Sequence, residues 1–118
     1  MVVNFPNISS LLEHAENKSL YENLVLQLQK DFVLANVFID LPTQIVPEDL
    51  KTLVHEKVYY LIMEKFTDYL NLLYIIDVPE KVVKAIEATD VVEISDQVTF
   101  EILKREWQKV WFRNEYSS

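Results

Sequence analysis

The chain has 118 residues, half of them hydrophobic, with 19 acidic and 11 basic side chains for a net charge of -8, and neither cysteine nor glycine. That length and apolar content suit one helical domain, 1–118, with a substantial core, while the charge disfavours nucleic acid and anionic membrane surfaces, which are bound mainly through Lys and Arg. The missing cysteine excludes disulfides, thiolate metal sites and a thiol nucleophile, and the missing glycine, of which ordinary usage would supply roughly 8, excludes glycine-rich phosphate loops and most two-residue hairpin turns.

The opening stretch MVVNFPN has no basic cluster ahead of a long apolar run, so a secretory signal is not expected. No window of about 18 apolar residues occurs either. These features, with the lack of cysteine, point to a cytoplasmic protein.

Four single prolines, Pro6, Pro42, Pro47 and Pro79, punctuate the chain. After the first, Ile8, Leu11, Leu12 and Ala15 keep a 3.6-residue period, which predicts a short helix from Ile8 to Glu16 with Asn7 as its cap. A second helix is predicted from about Ser19 to Ala35, where Leu20, Leu24, Leu28 and Phe32 form one stripe and Asn36 suits a left-handed end. Residues 37–46 read as a loop. Pro47, followed by Glu48 and Asp49, opens a third helix, because proline lacks a donor that the first turn does not need and early carboxylates favour the positive helix end.

The pattern of this third helix runs to about Tyr74. Within it, Val58 to Met63 is apolar for six consecutive residues, covering every direction around a helix axis. Asp77 and Glu80 have the spacing of a capping box with Pro79 between them, predicting a short helix to about Ala88 that buries Val82, Val83 and Ile86. Asp90 and Glu93 repeat the device. Beyond them, Val92, Ile94, Val98, Phe100 and Ile102 alternate as a strand would, whereas Phe100, Leu103, Trp107, Val110 and Trp111 keep helical spacing. With no partner strand of adequate length, one helix over 91–114 is the better reading.

The architecture expected is therefore an all-α bundle of about five helices, the long ones near 19–35, 48–74 and 91–114 forming the core.

Motifs for chemistry are sparse. His14 and His55 are the two histidines, and neither has glutamate three residues before it, the spacing used by bundle di-metal sites. The glycine-flanked elbow of serine hydrolases cannot form. The acidic residues are numerous enough that proximity between two of them carries no signal, and a solvated acidic face is the simpler expectation. No catalytic, cofactor-binding or metal-binding residue is assigned, no cofactor is expected, and a small-molecule ligand is disfavoured.

Charge is unevenly placed: residues 1–100 carry a net -9, whereas 101–118 carry a net +1 and hold both arginines, Arg105 and Arg113, and both tryptophans, Trp107 and Trp111. The segments Leu72-Leu73-Tyr74-Ile75-Ile76-Asp77-Val78-Pro79-Glu80 and Lys104-Arg105-Glu106-Trp107-Gln108-Lys109-Val110 resemble short uncharacterised bacterial all-helical proteins, with a Leu-Tyr-x-Ile-Asp-Val segment ahead of a charged last helix. The resemblance spans the last third of the chain. It implies a bacterial, cytoplasmic, all-helical domain and brings no activity.

The function expected is a non-enzymatic helical interaction or structural module with a protein partner, most simply a homodimer. Its interface is expected at Tyr59, Tyr60, Met63, Phe66, Leu70 and Trp111, with Tyr59, Met63, Phe66 and Leu70 on one stripe. Two alternatives stand beside it: a pocket protein or minor enzyme lined by Tyr59, Tyr60, Tyr69, Tyr74 and one histidine, and an acidic inhibitor that imitates nucleic acid.

Overall fold

A computed structural model describes residues 4–116, so the first three residues of the MVVNFPN stretch lie outside it. Among the described residues the chain forms six helices and no strand: α1 (Ile8–Asn17), α2 (Tyr21–Leu34), α3 (Pro47–Glu64), α4 (Phe66–Ile76), α5 (Glu80–Lys84) and α6 (Val91–Tyr116). The all-α reading holds. None of these helices is long and apolar enough to cross a membrane.

Asn7 caps α1 as expected, its Oδ1 accepting from the Ser10 amide at 2.8 Å. Asp90 does the same for α6, accepting from the Glu93 amide at 2.8 Å.

Three helices end in one shared way. Ser19, Asn36 and Asp77 lie at φ 58°, 59° and 72°, in the left-handed region that glycine usually occupies. The next residue is apolar and buried in each case, and its amide returns to a carbonyl five positions back: Leu20 to Ala15, Val37 to Phe32 and Val78 to Leu73, all at 2.9 Å. A chain without glycine has thus placed Ser, Asn and Asp where short polar side chains tolerate this conformation best.

Asp77 is accordingly the end of α4 and not the start of α5, which corrects the capping box expected there. Its carboxylate turns instead to Arg105, Oδ2 to Nη2 at 3.0 Å, while its carbonyl accepts from Arg105 Nε at 3.1 Å. Helix α5 stops at Lys84, short of Ala88, and Val82, Val83 and Ile86 are half-buried. Five residues resting on α6 alone offer too little apolar contact to extend a helix that short.

The long helix predicted over 48–74 breaks at Lys65, with φ -142° and ψ 60°, giving six helices instead of five. The buried residues of α3 are Leu50, Val54, Val58 and Leu61, and continuing that stripe along a straight helix would carry Lys65 and Asp68 into the core. The break rotates Tyr69, Leu72, Leu73 and Ile76 inward in their place.

Helix α6 is continuous through the ambiguous stretch. Its buried face there is Ser95, Val98, Thr99, Ile102 and Leu103, a helical series that includes two hydroxyls. Both are satisfied within the helix, Ser95 Oγ donating to Val92 O at 2.9 Å and Thr99 Oγ1 to Ser95 O at 2.7 Å. The helix packs most heavily on α3 and also touches α1, α2, α4 and α5, which makes it the spine of the core.

Candidate functional site

The break at Lys65 leaves an outer face on α3 and α4 that the core does not cover. Tyr59 is 38% exposed, Met63 51%, Phe66 55%, Leu70 51% and Tyr74 80%. Within each helix they recur at four-residue steps, Tyr59 and Met63 on α3 and Phe66, Leu70 and Tyr74 on α4, the spacing that keeps side chains on one side of a helix. Helix α4 carries one charged residue in 11, Asp68. Phe66 is braced by Tyr69, ring centroids 5.3 Å apart, so the rim of this face is anchored to a buried side chain.

Four of the six residues expected at an interface are exposed here, Tyr59 and Met63 on α3 and Phe66 and Leu70 on α4. Tyr60 is also exposed but borders a separate hollow of about 300 Å³ with Phe38, Ile39 and Leu53, and Lys57 Nζ sits 5.4 Å from its ring centroid. Trp111 is half-buried and leans on Phe112, ring centroids 5.2 Å apart. It follows Val92, which borders Met63, by 19 positions on the same helix, or about 28 Å along the axis at 1.5 Å per residue. Trp111 thus stands apart from Met63 within one molecule.

Above Met63 the face opens into a depression of about 600 Å³ bounded by His55, Tyr59, Met63, Val91 and Val92 together with Asp90, Glu93 and Asp96. His55 Nε2 lies 2.8 Å from Ser95 Oγ and 3.1 Å from Val92 O. Ser95 Oγ lies 2.9 Å from the same carbonyl, so imidazole, hydroxyl and carbonyl form one cluster. Ser95 is fully buried. The pair ties α3 to the first turn of α6.

Comparison with known protein families, with curated proteins and with solved structures finds no match for this chain.

The other expected groups are dispersed. His14 sits between Phe5 and Trp107, its ring 5.2 Å and 5.5 Å from theirs, in the core contact of α1 with α6. The tyrosines do not converge on a pocket: Tyr59 and Tyr60 border different hollows, Tyr69 is buried and Tyr74 projects outward. Among the described residues no three histidine, aspartate or glutamate side chains converge as metal ligands would.

A buried polar cluster is the feature that sequence reasoning missed. Gln27 and Asp31 of α2 face Glu106 and Lys109 of α6 inside the core. Lys109 Nζ lies 2.7 Å from Asp31 Oδ2 and 3.4 Å from Glu106 Oε1, and Gln27 Nε2 donates to Asp31 at 3.2 Å. Neither oxygen of Glu106 receives a well-formed hydrogen bond, the lysine being aligned on Asp31 instead.

Burial, then the neighbouring Asp31 carboxylate, pushes the Glu106 carboxyl up to about 9. Glu106 is therefore a neutral acid near pH 7 and has a hydrogen for Asp31 to accept. Burial acts on Asp31 in the same upward sense, yet the hydrogen bonds from Glu106, Lys109 and Gln27 hold it below its ordinary value. The signal for this cluster was present in α2, where Gln27 and Asp31 interrupt an otherwise apolar stripe.

Proposed function

We propose that this chain is a non-catalytic, cytoplasmic interaction module that associates with a second copy of itself through the outer face of α3 and α4. The observation that carries the reading is the exposure of Tyr59 and Met63 on α3 together with Phe66, Leu70 and Tyr74 on α4. With roughly 200 Å² for a whole large side chain, these five groups offer on the order of 550 Å² of exposed side-chain surface. Such an area is at the upper end for a monomer's largest patch, at roughly 300–600 Å², and approaches the ~800 Å² that each partner contributes to a standard interface.

A second copy is the occupant that suits the charge. Two molecules of net -8 repel except where charge is sparse, and α4 with its single Asp68 is such a place. A two-fold contact would bury the same apolar surface on both copies. The buried and hydrogen-bonded state of Ser95, and the scatter of the tyrosines, favour this reading over a pocket or an enzyme.

Light scattering at micromolar concentration tests it: the parent chain is expected at about twice the monomer mass, and Met63→Glu at the monomer mass with its helical circular dichroism retained. A parent chain that stays monomeric over a wide concentration range refutes it.

A further inference from the structure

Helix α6 has chemically opposite ends. At its start, Asp90, Glu93 and Asp96 rim the depression floored by Tyr59, Met63 and Val92, and none of the three carboxylates pairs with a Lys or Arg among the described residues. At its far end, Phe112 and Tyr116 stand one turn apart with rings stacked at 6.0 Å and 14°, and both are exposed. Arg113 lies beside them, on the side away from Glu115 by helical spacing. The other cations of this segment are engaged, Lys104 with Glu101, Arg105 with Asp77 and Lys109 with Asp31, whereas Arg113 makes no ion pair among the described residues.

An aromatic and cationic end faces away from an acidic and apolar hollow on the same rod. With 26 residues α6 is about 39 Å long at 1.5 Å per residue, close to the 40 Å long dimension of the molecule. The two features therefore sit at opposite poles and cannot meet within one chain.

We propose that the carboxyl-terminal end of α6, with Phe112, Arg113 and Tyr116, seats in the acidic depression at the start of α6 in a second copy of this chain. Arg113 enters among Asp90, Glu93 and Asp96, and the two rings cover Tyr59, Met63 and Val92. In a two-fold pair with antiparallel α6 helices the exchange is reciprocal, so each molecule gives one end and receives one. Trp111, which stands apart from the Met63 face within one molecule, is brought beside it by the partner. The inference rests on the self-association proposed above and specifies its register.

Charge reversal on the full chain tests it, read by sedimentation equilibrium and checked by circular dichroism for retained helix. Arg113→Glu and Asp96→Arg are each expected to weaken association roughly tenfold or more, as reversal of an interfacial charge does, and the double variant is expected to recover it. Association of the parent should also weaken as salt is raised, since the new pairs lie at a solvent-exposed rim.

A parent dimer indifferent to both reversals overturns this register while leaving self-association through α3 and α4 intact. Losses in the single variants without recovery in the double overturn the pairing of these ends. A monomeric parent overturns both proposals together.

Discussion

Lys109 reaches from α6 to Asp31 of α2, Nζ to Oδ2 at 2.7 Å, and ties the two helices together inside the core. One ammonium thereby serves two buried acids, since Glu106 lies one turn before it on the same helix. The arrangement stands only because Glu106 is neutral, so that the core holds one positive and one negative charge.

Stability should consequently depend on pH in a definite direction. Glu106 titrates near 4.5 in the unfolded chain and at about 9 in the folded one, so between those values the native state holds the extra proton and stability falls as pH rises, by up to about 1.4 kcal/mol per unit. Asp31 acts oppositely at the acid end, its contribution being present above 3.8 and lost as pH falls through its lowered folded value. The cluster is thus best tolerated near pH 4 to 5. Thermal melts from pH 5 to 9 should show a declining midpoint, and Glu106→Gln, which keeps a donor for Asp31 without the titration, should flatten the decline and melt higher at pH 8. Equal slopes in parent and variant would contradict the neutral Glu106.

Removing the cation is expected to be severe. Lys109→Ala leaves Asp31 ionised in the core with only Gln27 and Glu106 as partners, and breaking a buried pair by deleting one member costs about 3–5 kcal/mol. Urea unfolding of the variant at pH 7 measures this. A loss below about 1 kcal/mol, the range of exposed pairs, would mean that water reaches Asp31 freely.

The left-handed positions make a stabilising prediction. Ser19 is exposed at φ 58°, and no side-chain partner of its hydroxyl is found among the described residues. Glycine there relieves about 1–2 kcal/mol of conformational cost, offset by roughly 0.4–1 kcal/mol of added freedom in the unfolded chain. Ser19→Gly should therefore raise stability by up to about 1 kcal/mol. Asp77→Gly should not, because it also removes the carboxylate that holds Arg105. Chemical denaturation of the two variants side by side distinguishes them.

Truncation after Lys104 removes Trp107, Val110, the Glu106 and Lys109 half of the polar cluster, and the ring against which His14 packs. Loss of one large core aromatic alone costs about 3–5 kcal/mol, against a whole-domain stability of about 5–15 kcal/mol. The shortened chain should show no cooperative melt. Phe112, 47% exposed, contributes little to that loss; Phe112→Ala in the full chain should leave the monomer's stability within about 0.5 kcal/mol, the usual range for surface changes.

Local chemistry is legible in a single chain, and most of this fold is local chemistry. Asn7, Asp90 and Pro47 start helices because their side chains or ring act within one turn of themselves, and Asn36 ends one for the same reason. The exposure of Tyr59, Tyr60 and Met63 was likewise readable, because six consecutive apolar residues cannot all face one core. What neighbours in sequence cannot express is which of two equally apolar directions the rest of the molecule fills. That decided the break at Lys65, where continuing the α3 stripe would have buried a lysine and an aspartate. It also decided the fate of Glu106: its i, i+3 spacing to Lys109 reads as a surface ion pair, and only the approach of α2, bringing Asp31 to the same lysine, turned it into a buried acid that keeps its proton.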